Sequence, residues 1–274
     1  MKNSVNVTYF RDPDLPHMES CLVRQKPHVF PNHFHEHIFC IGMMERGSSY
    51  CVGDSQNIIG AGEICLINPG QVHSGVPIDK NGTAYRMLYM DAKWLMETAS
   101  EMREGRDGFF EFDKIVLRDP FLYKSLRDVA LCMENDSCKL ERDSLIMEAF
   151  YHLLVRNGVV KPARRSKDRE PGAIMKAREF LAEYLTAKIS LEDAARVAGL
   201  SRHHFLRVFK KQTGVPPHVF RTLHRVELAR QLMRQGMPFT EVALESGFSD
   251  QSHLVNKFRQ FTGATPGQYV AGLG

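Results

Sequence analysis

The sequence lacks the features that place a protein in a membrane or direct it out of the cell. No apolar run approaches the roughly 20 residues that span a bilayer. The amino end, MKNSVNVTYFRDPDLP, has no apolar core of the kind found in signal peptides. We therefore expect a soluble, cytoplasmic protein without a membrane partner.

The six cysteines include no CxxC pair, so a redox or metal-binding motif of that type is missing. Four of them stand in apolar or strand-like surroundings, which favours buried, reduced thiols. We predict no cofactor and no catalytic residue. A hydrophobic content of 43% and a charged content of 25% exclude wholesale disorder, and 274 residues suffice for one large domain or two ordinary ones.

The net charge of +4 hides a strong asymmetry along the chain. Residues 1–160 carry 17 Lys and Arg against 22 Asp and Glu, which gives −5. Residues 161–274 carry 19 against 10, which gives +9. An excess of positive charge is typical of proteins that bind a polyanion, so the carboxyl-terminal part is the candidate nucleic-acid binder.

The texture of the sequence changes where the charge changes sign. We predict a first domain over 1–157, a linker over 158–172 and a second domain over 173–274. Between Val23 and Met90, short β-branched or aromatic runs alternate with glycine-containing turns, which indicates an antiparallel sandwich or small barrel. From Trp94 to Val155 the spacing is helical, and Leu145, Met147 or Glu148, Tyr151, Leu154 and Val155 are expected to form an apolar stripe.

The second domain contains an internal repeat. An offset of 48 residues aligns Leu191 with Phe239, Ala194 with Val242, Ala195 with Ala243, Gly199 with Gly247 and Ser201 with Ser249. After one extra residue, an offset of 49 aligns Phe205 with Leu254, Phe209 with Phe258, Thr213 with Thr262, Gly214 with Gly263 and Pro217 with Pro266. Each unit reads as a short helix, a glycine turn and a second helix with its own cap.

This unit is typical of a helix-turn-helix, because a small alanine lets two helices cross closely and a glycine allows the sharp reversal. The second helix of that motif lies in the DNA major groove. A helix of about 18 residues from Pro217 to Gly236 would join the two units. The alternative is a helical bundle with a duplicated hairpin and no role in DNA binding.

The segment Ala173–Tyr269 resembles the DNA-binding domain of AraC/XylS-type transcriptional regulators, most closely in GFSDQSHLVNKFRQFTGATPGQY. The resemblance implies that Phe205, Val208, Phe209, Leu254 and Phe258 face the core. The residues that it places against DNA bases are Arg202, His203, Arg207, Gln251, Ser252 and Asn256. Those that it places against phosphates are Lys210, Lys211, Lys257 and Arg259.

The first domain carries a cluster of histidines in PNHFHEHIFCIG and GEICLINPGQVHSG. His33, His35 and His37 stand at strand alternation, so they are expected to share one face. Together with His73, they make the region resemble the cupin-like sensor domain of AraC-family proteins. That resemblance implies an antiparallel β-barrel that holds a small-molecule effector, for which we predict His35, His37, His73 and Arg86 as ligands.

Three functions fit these observations. The first is a transcription regulator of the α+β class whose barrel binds a small-molecule effector. It would bind double-stranded DNA as a homodimer and contact RNA polymerase. The second is a metal-dependent cupin enzyme with a DNA-binding appendage, although the glutamate expected in its metal set is missing from FCIGMM and Glu45 comes too late. The third is a ligand-independent dimeric DNA-binding protein. We expect the first, with no bound metal.

Overall fold

A computed structural model describes residues 6–25, 29–52, 57–78, 82–102, 109–135, 139–161 and 172–272. The chain divides into two units. The first contains residues 1–29, 34–164 and 271–274, and the second contains residues 30–33 and 165–270. No helix among the described residues is both long enough and apolar enough to cross a bilayer.

The strands lie almost entirely before residue 118. They are β1 (Asn6–Phe10), β2 (Met18–Gln25), β3 (Phe30–His33), β4 (Ile38–Arg46), β5 (Ser48–Val52), β6 (Ile58–Gly60), β7 (Ile64–Ile67), β8 (His73–Pro77), β9 (Thr83–Asp91), β10 (Phe109–Phe112), β11 (Val116–Leu117) and β12 (Gly158–Lys161).

Helices flank the sheets of the first unit and make up nearly all of the second. They are α1 (Ala92–Met102), α2 (Pro120–Glu134), α3 (Lys139–Asn157), α4 (Gly172–Glu183), α5 (Leu191–Val197), α6 (Arg202–Thr213), α7 (Pro217–Arg234), α8 (Phe239–Glu245), α9 (Gln251–Thr262) and α10 (Pro266–Ala271). The predicted α+β class, with an antiparallel β domain followed by a helical domain, is confirmed.

A six-stranded antiparallel sheet in the order β1-β2-β9-β4-β7-β11 organises the first unit. A second sheet includes β8, β5 and β6 as neighbours in that order. Because side chains alternate along a strand, β4 buries Phe39, Ile41 and Met43 on one face and Cys40 and Met44 on the other. We call the first face, which packs against the helices, the helix face. We call the second, against which Ile59 of β6 packs, the inner face.

Helices α2 and α3 pack together against the helix face. Helix α2 begins where Asp119 caps it, with the carboxylate accepting the backbone N–H of Leu122 at 3.0 Å and Pro120 in the first turn. The apolar stripe predicted on α3 is confirmed at Leu154 and at Leu145, which packs partly buried against the core, but Met147 and Tyr151 are exposed. The side chain of Val155 lies outside the described residues. The buried apolar residues of α3 are Ile146, Ala149, Phe150, Leu153 and Leu154.

Five strands lie wholly or largely outside the region from Val23 to Met90 that was predicted to form strands. Strands β10 and β11 fall in the stretch from Trp94 to Val155 that was predicted to be helical. Strands β1 and β2 begin well before Val23, and they pair with one another and with β9. The predicted linker begins with strand β12, which pairs with β10. Residues 162–171 of that linker lie outside the described residues.

Candidate nucleic-acid interface and ligand-binding face

The first repeated unit is a short helix, a glycine turn and a 12-residue helix. Ser190 caps α5 in a reciprocal capping box with Asp193. Gly199 has a φ of +65°, which is the left-handed conformation that ends α5. Ser201 then caps α6, its hydroxyl oxygen accepting the N–H of His204 at 3.4 Å.

The second unit repeats this geometry with one change at the cap. Helices α8 and α9 match α5 and α6 in length, and Gly247 has a φ of +81°. The cap of α9 is Asp250, whose carboxylate accepts the N–H of His253 at 2.8 Å. The extra residue of this copy therefore lies in the turn, and Ser249, which the alignment paired with Ser201, donates a hydrogen bond to Asp250 instead.

Both 12-residue helices are anchored in the same way. The Phe209 ring of α6 meets Phe220 of α7 edge to face, with centroids 5.4 Å apart. The Phe258 ring of α9 meets Tyr269 of α10 in the same way at 5.4 Å. The expected core residues Phe205, Phe209, Leu254 and Phe258 are fully buried, and Val208 is half-buried. Each helix is thus held firmly by one side and presents the other side to solvent.

The predicted DNA contacts lie on those outward sides. The exposed ones are Arg202, His203, Arg207, Lys210, Lys211, Gln251, Ser252, Asn256 and Arg259. Lys257 is half-buried, and its ammonium donates to the amide oxygen of Gln260 at 3.2 Å. The two surfaces differ in charge, because α6 carries four of the Arg and Lys residues while α9 begins at the carboxylate of Asp250. Hydrogen bonds from the backbone N–H of His253 and from the Ser249 hydroxyl lower the pKa of the Asp250 carboxyl group.

The structure brings His35 and His73 together in the first unit. Their ring centroids are 5.4 Å apart, and His35 also meets the Tyr89 ring of β9 at 5.5 Å. The Nδ1 of His73 is 3.0 Å from the carbonyl oxygen of Gln71, so this nitrogen is the donor of that hydrogen bond. Contrary to expectation, His35 and His37 lie in a turn before β4 rather than in a strand, and His37 is exposed.

Tyrosines and a methionine accompany these histidines on the inner face. Tyr85, Met87 and Tyr89 alternate along β9 and are half-buried, whereas Leu88 and Met90 on the helix face are completely buried. Burial raises the pKa of both Tyr85 and Tyr89, so their hydroxyl groups stay protonated. Sequence reasoning missed these residues, although their alternation in YRMLYM was the available signal. The cysteine side chains that the structure describes, those of Cys21, Cys40, Cys65 and Cys132, are buried as predicted.

Arg86 is not part of this group. It points to the helix face of β9, where Nε donates to Glu134 of α2 at 2.7 Å and Nη1 donates to Glu45. An irregularity of β4 between Met44 and Arg46 accompanies this placement of Glu45. The guanidinium is 5% exposed and already has two carboxylate partners, which speaks against its expected role as a ligand for an effector.

Comparison with known proteins agrees with both parts of the chain. Residues 17–153 match the model of the AraC-like ligand binding domain, and residues 194–272 match that of a helix-turn-helix domain. The HTH-type transcriptional regulator YbfI of Bacillus subtilis, itself described as uncharacterized, is 31% identical over 245 residues, which cover 89% of this chain and 87% of YbfI.

Solved structures of ToxT from Vibrio cholerae share the fold. An apo ToxT variant superposes with a TM-score of 0.55 at 15% identity, covering 98% of this chain and 97% of ToxT. ToxT with a bound unsaturated fatty acid gives a TM-score of 0.53 at 16% identity, covering 98% and 96%. The two domain matches and the relationship to YbfI show that the chain belongs to the AraC family of helix-turn-helix transcriptional regulators.

Proposed function

We propose that the chain regulates transcription by reading a bipartite DNA site with α6 and α9. The observation that carries this proposal is the duplicated, equally anchored helix with an exposed polar side. Helix α7 is 18 residues long, which gives a rod of about 27 Å at ~1.5 Å per residue. One turn of DNA is about 34 Å, so a connector of this length suits two recognition helices in successive major grooves.

Selection of bound fragments from random double-stranded DNA tests this proposal. We expect an enriched sequence with two half-sites about 10 base pairs apart, and an affinity that falls as salt rises. The control is the same selection with Arg207→Ala and Asn256→Ala combined, which leaves the buried anchors intact. Absence of any enriched sequence with the unaltered protein would refute sequence-specific binding.

We further propose that the inner face of the first unit binds an uncharged polar small molecule near His35, His73 and Tyr89. The half-buried ring surfaces of Tyr85 and Tyr89 support this, because ligand sites combine apolar surface with a few directed polar groups. The fatty acid bound by ToxT supports a small-molecule effector in a protein of this fold. The effector controls DNA binding only if it binds one state of the protein more tightly than another.

A thermal-shift screen of metabolites against the whole protein tests the effector site. A true effector is expected to raise the melting temperature of the unaltered protein and to do so less with Tyr89→Ala or His73→Ala. His37→Ala is the matched control, because His37 is exposed and lies apart from the ring cluster. If no metabolite changed either the melting temperature or DNA binding, the first unit would serve dimerisation alone.

We propose that the protein acts as a homodimer in the cytoplasm and that the dimer interface lies on α2 and α3. Phe121, Met147 and Tyr151 are each about half exposed there, and rings of Phe121 and Tyr151 both contact His152. Sedimentation of Tyr151→Lys tests this surface, with Lys188→Ala as the control because Lys188 is exposed and lies outside α2 and α3. We also propose that the protein contacts RNA polymerase and that it acts by binding rather than by catalysis. Transcription from DNA that carries the selected site is the assay for this proposal.

A further inference from the structure

One backbone carbonyl in the second unit is the meeting point of three elements that are distant in sequence. Leu185 follows α4 and leads toward α5, and its carbonyl oxygen accepts hydrogen bonds from the middle of α7. The turn between α8 and α9 packs against the same oxygen. We call this arrangement of Leu185, Arg225 and Gly247 the Leu185 junction.

Arg225 provides the α7 side of the junction. Its Nε donates to the Leu185 oxygen at 2.8 Å and its Nη2 donates to the same oxygen at 2.5 Å. One helical turn earlier, Arg221 donates from Nη2 to the carbonyl oxygens of Tyr184 at 2.7 Å and of Leu185 at 3.1 Å, and also to that of Ala187. Two neighbouring cations of α7 therefore hold the carbonyl groups that follow the end of α4, where the helix dipole favours positive charge.

Gly247 provides the side that belongs to the second motif. A Cβ at this position would lie 2.9 Å from Nε of Arg225 and closer still to the Leu185 oxygen. The φ of +81° adds a second reason for glycine. The equivalent Gly199 in the first motif has a similar φ, but no atom lies within 4 Å of the position that its Cβ would take. The close approach is thus specific to the second copy and does not follow from the turn conformation.

The guanidinium of Arg225 is well suited to this place. It is half-buried, and burial, together with the charge of Arg221, lowers the pKa of Arg225 to about 10. The group therefore stays charged at neutral pH, and its planar fork directs two donors at a single oxygen. Loss of these donors would leave the Leu185 carbonyl group with only the longer hydrogen bond from Arg221, and would remove the charged group that lies against Gly247.

We propose that the Leu185 junction sets the position of the second recognition helix relative to the first, and thereby the half-site spacing that the protein accepts. Leu185 leads into the motif of α5 and α6, Gly247 is the turn of the motif of α8 and α9, and Arg225 lies on the helix that joins them. The junction thus adds a contact between the two motifs to the connection that α7 makes along the chain. Arg225 is in this view a positioning residue without contact to DNA. The inference rests on the proposed bipartite reading of DNA.

The experiment measures binding to a series of DNAs in which the spacer between the two selected half-sites varies from two base pairs shorter to two longer. The full-length protein, Arg225→Met and Arg225→Lys are compared, with Arg234→Met as the control because Arg234 is an exposed cation on the same helix. We expect the unaltered protein and the control to share a sharp optimum. Arg225→Met is expected to lose about tenfold or more at that optimum, since linked sites gain affinity only when both can be engaged together.

The spacing profile separates positioning from a general loss of structure. Arg225→Met should bind DNAs of wrong spacing as well as the unaltered protein does, so that its profile is flat, and Arg225→Lys should recover part of the optimum. An equal loss at every spacing would overturn the proposal. If Arg225→Met does not fold, Gly247→Ala, which opens the junction from the other side, must give the flat profile. If the unaltered protein selects no DNA at all, the proposed function fails and this inference falls with it.

Discussion

Helices α6 and α9 have the same length, a glycine at the carboxyl end and equivalent aromatic anchors, but their outer surfaces differ in charge. Gly214 and Gly263 end them with φ values of +72° and +76°. Thr213 and Thr262 then make the same two hydrogen bonds to backbone carbonyls. The outer side of α6 is rich in Arg and Lys, whereas that of α9 is mostly uncharged and begins with Asp250.

The difference teaches that the duplication preserved the anchoring and left the contact surface free to change. Residues that hold a recognition helix in place must match the buried partners around them, because protein interiors are close-packed. Residues on the outer side meet only solvent until DNA is bound. We therefore interpret α6 as the main source of affinity and α9 as a polar, positioning contact.

The equivalence of the two anchors can be broken by removing one ring at a time. Phe209→Ala and Phe258→Ala should each lower the free energy of unfolding by about 3 to 5 kcal/mol, because each leaves a cavity in a fully buried core. Urea unfolding followed by circular dichroism measures this loss, with the exposed Lys210→Ala as the control. A large loss for one ring and almost none for the other would show that the anchors are unequal.

The base-reading role of α6 is tested at Arg207. Arg207→Ala should weaken binding to the selected DNA by about 1 to 3 kcal/mol and relax the preference at one base position, because arginine can grip guanine through two hydrogen bonds. Lys188→Ala, an exposed cation outside both helices, is the control. Equal losses on selected and scrambled DNA would assign Arg207 to phosphate binding instead.

The charge asymmetry predicts an asymmetric salt dependence. Neutralising Arg207 and Lys211 together should reduce the slope of log affinity against log salt by roughly 0.9 for each phosphate contact that is lost. Replacing Asn256 and Lys257 together should reduce it less, since this pair contains one charge and Lys257 already bonds to Gln260. Equal changes in slope and affinity for the two pairs would contradict the interpretation of α6 as the main source of affinity.

The smallest expected effect concerns the caps of the two helices. Asp250→Asn keeps a capping side chain but removes a negative charge from the end of α9 that is proposed to face the polyanionic DNA, so DNA binding at neutral pH should become tighter. The lowered pKa means that this charge persists as pH falls until the value for the folded protein is reached. Ser201→Asp, the reciprocal change, should weaken binding. Weaker binding by Asp250→Asn would instead indicate that the carboxylate accepts a hydrogen bond from a base.

Local pattern was sufficient to predict most of the helical unit. The caps at Ser190 and Ser201, the glycine turns and the start of α7 at Pro217 depend on residues a few positions apart, so they can be read along the chain. The repeat strengthened each prediction by supplying it twice. The cap of α9 could not be assigned from the sequence, because either Ser249 or Asp250 can cap a helix and only the register of α9 distinguishes them.

The inner face of the first unit was predicted less well, since it depends on which face of a strand each side chain occupies and on partners far away in sequence. Arg86 was expected beside the histidines, yet the carboxylates that hold it come from β4 and from α2, 41 and 48 residues distant. Strand β12 and the buried side of α3 were likewise decided by long-range pairing and packing.

Short-range periodicity located the repeated motif and its polar surface. The partners of Arg86, the inner face and the Leu185 junction required the folded chain, because nothing near Arg86 or Gly247 in sequence shows what packs against them.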